Sequence, residues 1–265
     1  TKIPLDDQKP YQMLAAGNTI GVFQLEGAGM TRYLKELQPT NIEDIIVMIS
    51  LYRPGTLDAG MIPRFIARKH GRETVTYLHP KLEPILKSTY GIMIYQEQLM
   101  QMAQIIAGFT LGEADILRKA IGKKIRKLLQ EQRNKFLEGA ERNKVSKKTA
   151  EELWKLVEPF DRYGFNRSHA AAYAIVAFQT AWLKAYYPIE FMASLLNAEA
   201  KNVERIAFLV AECKKENITV LPPDINESDA GFTVRDDQHI RFGLGAIKNV
   251  GHNIVSVITE ERGQT

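Results

Sequence analysis

The chain has 265 residues, 45% of them hydrophobic and 25% charged, a globular composition that excludes a disordered, collagen-like or low-complexity protein. Its single cysteine, Cys213, excludes an internal disulfide and a thiolate zinc site, and points to a reducing cytoplasmic compartment. The net charge is +4, and the longest fully apolar run, 170–178, is far shorter than the about 20 residues that span a bilayer, so a soluble protein with no membrane partner is expected.

No charged segment followed by an apolar stretch opens the chain, so no signal peptide is expected and the chain reads as a piece of a longer protein. Most of the first 216 residues predict helix. Ile42, Ile45, Ile46, Ile49 and Tyr52 recur at 3-4 spacing, as do Leu99, Met102, Ala103 and Ile106. Asn41, Thr110 and Ser146 precede such runs and supply side-chain oxygens for orphan amides. Pro39, the Pro54-Gly55 pair, Pro63, Gly71, Gly91, Gly108, Gly122, Pro159, Gly164 and Pro188 are expected to break the run into about ten helices of normal length.

After Asn217 the texture changes. Ile218–Leu221, Gly231–Val234 and His239–Phe242 predict short strands, the last two joined by a hairpin-like turn, and residues 243–262 return to helix after a turn at Asn249, Val250 and Gly251. The expected fold class is mainly α: a multi-helix domain over 1–217, a short β-containing connection over 218–242 and a further unit beginning at 243–265.

The charge is unevenly spread. Residues 118–148 hold twelve Lys or Arg and three Glu, a net of +9, which leaves the rest of the chain at −5. An excess of this kind favours a polyanion such as nucleic acid or a triphosphate over a mixed-sign solvated face. Catalytic machinery is harder to find. There is no Asp-x-Asp, the adjacent pairs Asp6-Asp7 and Asp236-Asp237 would point to opposite faces of a strand, and the histidines lack zinc-ligand spacing. No phosphate-binding Gly-rich loop is present. Neither a catalytic residue nor a metal site is expected within the chain.

Two constellations remain. Arg118, Lys119, Lys123 and Lys124 place four cations at the junction of two helices, where they could bind a triphosphate through charge-assisted hydrogen bonds or simply complement a helix C-terminus. Tyr163, Gly164, Phe165, Asn166, Arg167 and His169 precede an Ala-rich helix and could stack on a base; the competing structural reading is a loop with Ser168 as helix N-cap and the aromatics in the core. In the C-terminal stretch, Lys248, Asn249 and Gly251 resemble the turn of a helix-hairpin-helix element, which presents backbone amides to a DNA phosphate, although a plain helix-helix turn would use the same glycine.

Several ordered blocks together resemble one family. They are Ile3-Pro4-Leu5-Asp6-Asp7, Gly21-Val22-Phe23-Gln24-Leu25-Glu26, Leu51-Tyr52-Arg53-Pro54-Gly55, residues 91–98, residues 107–112 and residues 163–173. In order and spacing they are similar to the bacterial replicative DNA polymerase III alpha subunit of the DnaE type, nearly end to end. The resemblance implies that 1–217 is the fingers domain and 243–265 the beginning of the helix-hairpin-helix unit that contacts duplex DNA. It also implies that Mg²⁺ and its carboxylate ligands belong to a palm domain outside this chain, so that the chain alone binds no cofactor and polymerises nothing.

By the same resemblance, Arg118, Lys119, Lys123 and Lys124 face the triphosphate of an incoming deoxynucleotide (dNTP). Tyr163, Gly164, Phe165, Asn166, Arg167 and His169 line the nucleotide pocket, with Arg53 as a further candidate. The implied partners are primer-template DNA and dNTP, with a sliding clamp and other replisome subunits held through regions outside the chain. Three positions depart from the family pattern: Thr56 stands where a Pro is usual, Ile121 where a Met is usual and Arg167 where a Lys is usual. Thr56 is expected to loosen the turn that aims Arg53. A non-enzymatic nucleic-acid-binding module built on the 118–148 segment, and a protein-binding scaffold, are the alternatives that the residues leave open.

Overall fold

The structure, a computed structural model, describes residues 3–158, 160 and 164–262. The chain folds into two compact units, one built from 1–18 and 24–178, the other from 19–23 and 179–265. Unit one holds α1 (Gln8–Ala16), α2 (Ala28–Leu37), α3 (Ile42–Leu51), α4 (Pro54–Asp58), α5 (Met61–Lys69), α6 (Glu83–Leu86), α7 (Gln96–Ala107), α8 (Leu111–Gly122), α9 (Arg126–Arg142), α10 (Lys147–Val157) and the first part of α11 (Arg167–Tyr186). Three predicted caps form. Asn41 accepts from the Asp44 amide, Ser146 accepts from the Thr149 amide, and Thr110 and Glu113 cap each other's backbone at the start of α8. Pro63, expected to break the run, instead lies in the first turn of α5, where an N–H has no intrahelical partner to lose, and Pro54 opens α4 for the same reason.

The apolar faces of α7, α8, α9 and α10 converge on one core that includes Leu99, Met102, Ile106, Leu117, Phe136 and Trp154. Phe136 is fully buried and packs edge-on to Phe109 and tilted against Trp154, with centroids at 6.3 and 5.5 Å. Helices α7 and α9 touch through backbone: a Cβ at Gly139 would lie 2.0 Å from the Ala107 carbonyl oxygen. A buried ion pair joins α3 to α5. Lys69 Nζ lies 2.6 Å from Asp44 Oδ2, with side chains 9% and 4% exposed, and the same carboxylate oxygen accepts from the Thr40 amide at 2.9 Å.

Unit two contains the remainder of α11, α12 (Pro188–Ala198), α13 (Val203–Lys215), β1 (Thr219–Leu221), β2 (Thr233–Asp236), β3 (His239–Arg241) and α14 (His252–Arg262). All three predicted strands form one sheet in the order β1-β3-β2. β2 and β3 make the expected antiparallel hairpin, with an irregular register between Val234 and Asp236, while β1 runs parallel to β3. Met192, Leu196, Leu209, Cys213 and Ile240 form its core. Asn197 ties α12 to the sheet by taking both backbone groups of Phe232, donating to the carbonyl and accepting from the amide at 2.7 Å each. Lys184, with its side chain 1% exposed, donates to the Ile20 carbonyl at 3.0 Å and pairs with Glu216 at 3.1 Å, which anchors the 19–23 segment within this unit.

The fold class is therefore mainly helical with one small sheet. The two compact units divide within α11, at residue 178, rather than at the texture change near 217, because α12 and α13 pack on the sheet that follows them.

Two variants test these contacts. Gly139→Ala gains about 1 kcal/mol of helix propensity but must push against Ala107 backbone, an overpacking cost of about 1–3 kcal/mol. The expected net result is a lower melting temperature, and a melting temperature at or above that of the parent would show that the helices are not held this close. Lys184→Met removes one partner of a buried pair, at a cost of about 3 kcal/mol, or roughly 6–12 °C in Tm. Faster amide exchange of residues 19–23 should accompany the loss; unchanged melting and exchange would rule out the anchoring role.

Candidate functional site

The functional geometry of unit one starts from an isolated parallel bridge between Tyr95 and Phe165. The Phe165 amide donates to the Ile94 carbonyl at 3.1 Å, and the Gln96 amide donates to the Phe165 carbonyl at 2.9 Å. Gly164 precedes the bridge under a steric demand. A Cβ there would fall 2.3 Å from the Phe160 ring and 2.9 Å from the Phe160 carbonyl oxygen, so the loop needs glycine to pass. Helix α11 then begins at Arg167. Asn166, not Ser168, caps it by accepting the His169 amide at 2.9 Å, and Ser168 sits inside the first turn.

The bridge fixes Phe165, and two side chains, Arg53 and His169, gather on its ring. Arg53 stacks its guanidinium over the ring with its carbon 4.3 Å from the centroid, while its Nε donates to the Ser50 carbonyl at 3.0 Å. Burial pulls the Arg53 guanidinium below its ordinary pKa. His169 packs on Phe165 at 5.7 Å and on Tyr173 at 4.3 Å, centroid to centroid, each pair one helical turn apart. Thr56, expected to loosen the turn below Arg53, does the opposite. It is fully buried, and its hydroxyl lies against the carbonyls of Arg53 and Leu51, holding the entry to α4 that a proline ring would otherwise stiffen.

Arg167 meets two carboxylates. Its Nη2 contacts both carboxylate oxygens of Glu43, at 2.8 and 2.9 Å, and its backbone amide donates to both oxygens of Glu97, at 3.2 and 3.1 Å. The hydrogen bond to Glu43 holds the guanidinium pKa above its ordinary value. Beside it opens a cleft of about 530 Å³ lined by Tyr95, Glu97, Gln98, Gln101, Arg167 and Ser168, among others. Burial pushes the Tyr95 phenol well above its ordinary pKa, so it stays protonated. Glu43 and Glu97 were not singled out from the sequence. Glu97 lies within the 91–98 block, but nothing local links Glu43 to a residue so far along the chain.

The four cations lie at the far end of α8, which packs with α7 in one core. Arg118 and Lys119 are on its last turns, Lys123 is its C-cap residue, and Lys124 follows in the left-handed region at φ 55°. Lys119, Lys123 and Lys124 are exposed and Arg118 is half-buried. The cluster does not line the cleft beside Arg167. It is also partly matched by acids just upstream of the +9 segment: Asp115 pairs with Arg118 and with Lys119 at 2.7 Å each, and Glu113 pairs with Lys135 at 2.5 Å. The Lys135 ammonium and the Thr110 backbone and hydroxyl hold the Glu113 carboxyl down to about 2. Those acids were legible in principle, since Asp115 stands three and four residues before the cations it meets.

Tyr163 lies outside the described residues. In unit two, Lys248, Asn249 and Gly251 are exposed at the turn into α14, Asn249 takes φ 69°, and no atom lies within 4 Å of a Cβ built at Gly251. Backbone at this turn can therefore approach a flat anionic surface closely. Among the described residues, no group of three or more His, Cys, Asp or Glu is placed to hold a metal ion. Among the same residues, no helix is long and apolar enough to cross a membrane.

Comparison with known proteins gives this geometry a context. Residues 217–265 match the family described as helix-hairpin-helix motif, which takes in the sheet and the exposed turn before α14. The DNA polymerase III subunit alpha of Escherichia coli (strain K12) is 49% identical over 99% of this chain and 23% of its own length. The proteins of the same name from Pseudomonas aeruginosa and Aquifex aeolicus (strain VF5) are each 48% identical, over 99% and 98% of this chain and 23% and 22% of their own lengths. The chain thus spans about a quarter of the relatives it matches. Residues 1–144, more than half of the chain and including Arg53 and the whole of α8, match the model of the bacterial DNA polymerase III alpha subunit finger domain, and the chain belongs to that family.

Proposed function

We propose that this chain is the fingers portion, followed by the start of the DNA-contacting helix-hairpin-helix unit, of a template-directed DNA polymerase that transfers deoxynucleotides to a primer 3′-OH in the bacterial cytoplasm. The domain limits that fit this reading are 1–217 for the fingers, 218–242 for the β-containing connection and 243–265 for the start of the second unit. The relatives are named as DNA polymerase III subunit alpha, and a polymerase of that kind acts on primer-template DNA and dNTP. Mg²⁺ would be held by carboxylates of a palm outside this chain, and a sliding clamp and other replisome subunits would bind elsewhere on the subunit.

The observation that carries the reading is the role of α7. Its N-terminal end forms the bridge that fixes Phe165, and its length packs in one core with α8, whose last turns and the two residues after them carry the cations. One rigid element thus couples a stacking surface to an anion-binding edge, which is what a fingers domain needs when it orients a nucleotide before chemistry. Arg118, Lys119, Lys123 and Lys124 would neutralise the triphosphate. Phe165, His169 and Arg53, with Gly164 and Asn166 beside them, would bound the nascent base pair together with Tyr163, and Lys248, Asn249 and Gly251 would meet a DNA phosphate. Arg167 would serve this pocket through its bond to Glu43, which orients the start of α11.

Two measurements test the assignment. The 265-residue chain by itself should extend no primer, and any template-dependent extension by it would show that the active carboxylates had been missed. In the full-length subunit, Arg118→Ala and Lys123→Ala should each lower kcat/KM for nucleotide roughly ten- to hundred-fold, as loss of a charge-assisted bond implies, with a smaller change in DNA affinity. Unchanged nucleotide kinetics with weakened DNA binding would point instead to a plain nucleic-acid-binding module.

A further inference from the structure

The cations at the end of α8 are already organised by one carboxylate. Asp115 Oδ1 accepts from Arg118 Nε at 2.9 Å and from its Nη2 at 2.7 Å, while Oδ2 lies 2.7 Å from Lys119 Nζ. The two cations are neighbours in sequence, so a helix sends them out about 100° apart, and as like charges they repel. Asp115, at i−3 from one and i−4 from the other, draws both toward the same face and offsets the repulsion. The hydrogen bonds to Lys119 and Arg118 hold the Asp115 carboxyl below its ordinary pKa, so it stays ionised.

The contacts leave donors over. Asp115 uses one edge of the Arg118 guanidinium and one of the three ammonium protons of Lys119. The Nη1 side of Arg118 and two protons of Lys119 meet no other acceptor among the described residues. Glu113, the next acid along the helix, is engaged by Lys135 and the Thr110 amide. We propose that Asp115 is a positioning residue for the incoming nucleotide, holding Arg118 and Lys119 side by side so that their remaining donors form one phosphate-binding edge. This rests on the reading of the α8 terminus as a triphosphate site.

The opposing effect is electrostatic, because the same carboxylate lowers the local charge from +2 to +1. The three side chains are 31–56% exposed, and water and salt screen that cost, whereas loss of alignment is not screened. Positioning therefore outweighs charge neutralisation, and removing Asp115 weakens nucleotide binding.

The test uses the full-length subunit at saturating primer-template. Asp115→Ala should raise the nucleotide KM roughly two- to five-fold, the range of a partly exposed ion pair, with kcat and DNA affinity little changed. Asp115→Asn keeps the shape and an acceptor for Arg118 while losing the charge that holds Lys119; it should give an intermediate KM and guards against a folding defect in the Ala variant. Asp115→Glu should restore most of the loss, and in an Arg118→Ala background Asp115→Ala should add little. If Asp115→Ala and Asp115→Asn leave KM unchanged or lower it while Arg118→Ala raises it, the positioning role is overturned and the triphosphate site stands. If Arg118→Ala itself leaves nucleotide KM unchanged, both fall.

Discussion

The contact on which the unit-one site depends is the bridge between Tyr95 and Phe165. Two backbone hydrogen bonds hold the loop before α11 against the start of α7, and Phe165, with the Arg53 and His169 that pack on it, takes its place from them. The Phe165 ring sets where Arg53 stacks and where His169 packs. The backbone that emerges from the bridge brings Asn166 and Glu97 to the first amides of α11, so the helix starts where the bridge releases the chain. Gly164 makes this possible because the Phe160 ring and carbonyl occupy the space a side chain would need.

Charge is handled locally around this frame. The +9 segment looks unmatched when it is counted from Arg118, but Glu113 and Asp115 stand just outside the count and reach into it from the same helix or the one before. Pairing is partial: the acids take some donors of Arg118, Lys119 and Lys135 and leave the lysines after α8 exposed. A cation cluster with a built-in counter-ion can stay ordered, at a modest cost in net positive charge because the pairs are open to water.

Burial treats charge differently from exposure in this chain. Lys69 with Asp44 is an ion pair removed from water, and the buried Lys184 meets a partly exposed Glu216; each lysine also donates to a backbone carbonyl of a distant segment. Such pairs are costly to break from one side, which suits them to fixing segments in place. The 19–23 segment is one such case, and its Ile20 also packs against the core of unit two. It is contributed from early in the chain, yet Lys184 holds it within unit two.

What local chemistry governs could be read from the residues. The caps at Asn41, Thr110 and Ser146, the apolar faces of α3 and α7, the three strands and the hairpin all follow from spacing within a few residues. The resemblance to the polymerase III alpha subunit could be read in the same way, because its blocks are contiguous. Where sequence spacing erred, the cause was also local: Pro63 has the look of a breaker but costs nothing in a first turn, and Ser168 has the look of a cap but Asn166 comes first. Tertiary structure alone decided which distant groups meet. Glu43 reaches Arg167, Arg53 covers Phe165, β1 lies parallel to β3, and residues 19–23 join the second unit. The reason is physical. Helix and turn preferences act over one or two turns of chain, whereas these pairings arise when packed apolar faces bring together segments that carry no trace of one another in their spacing.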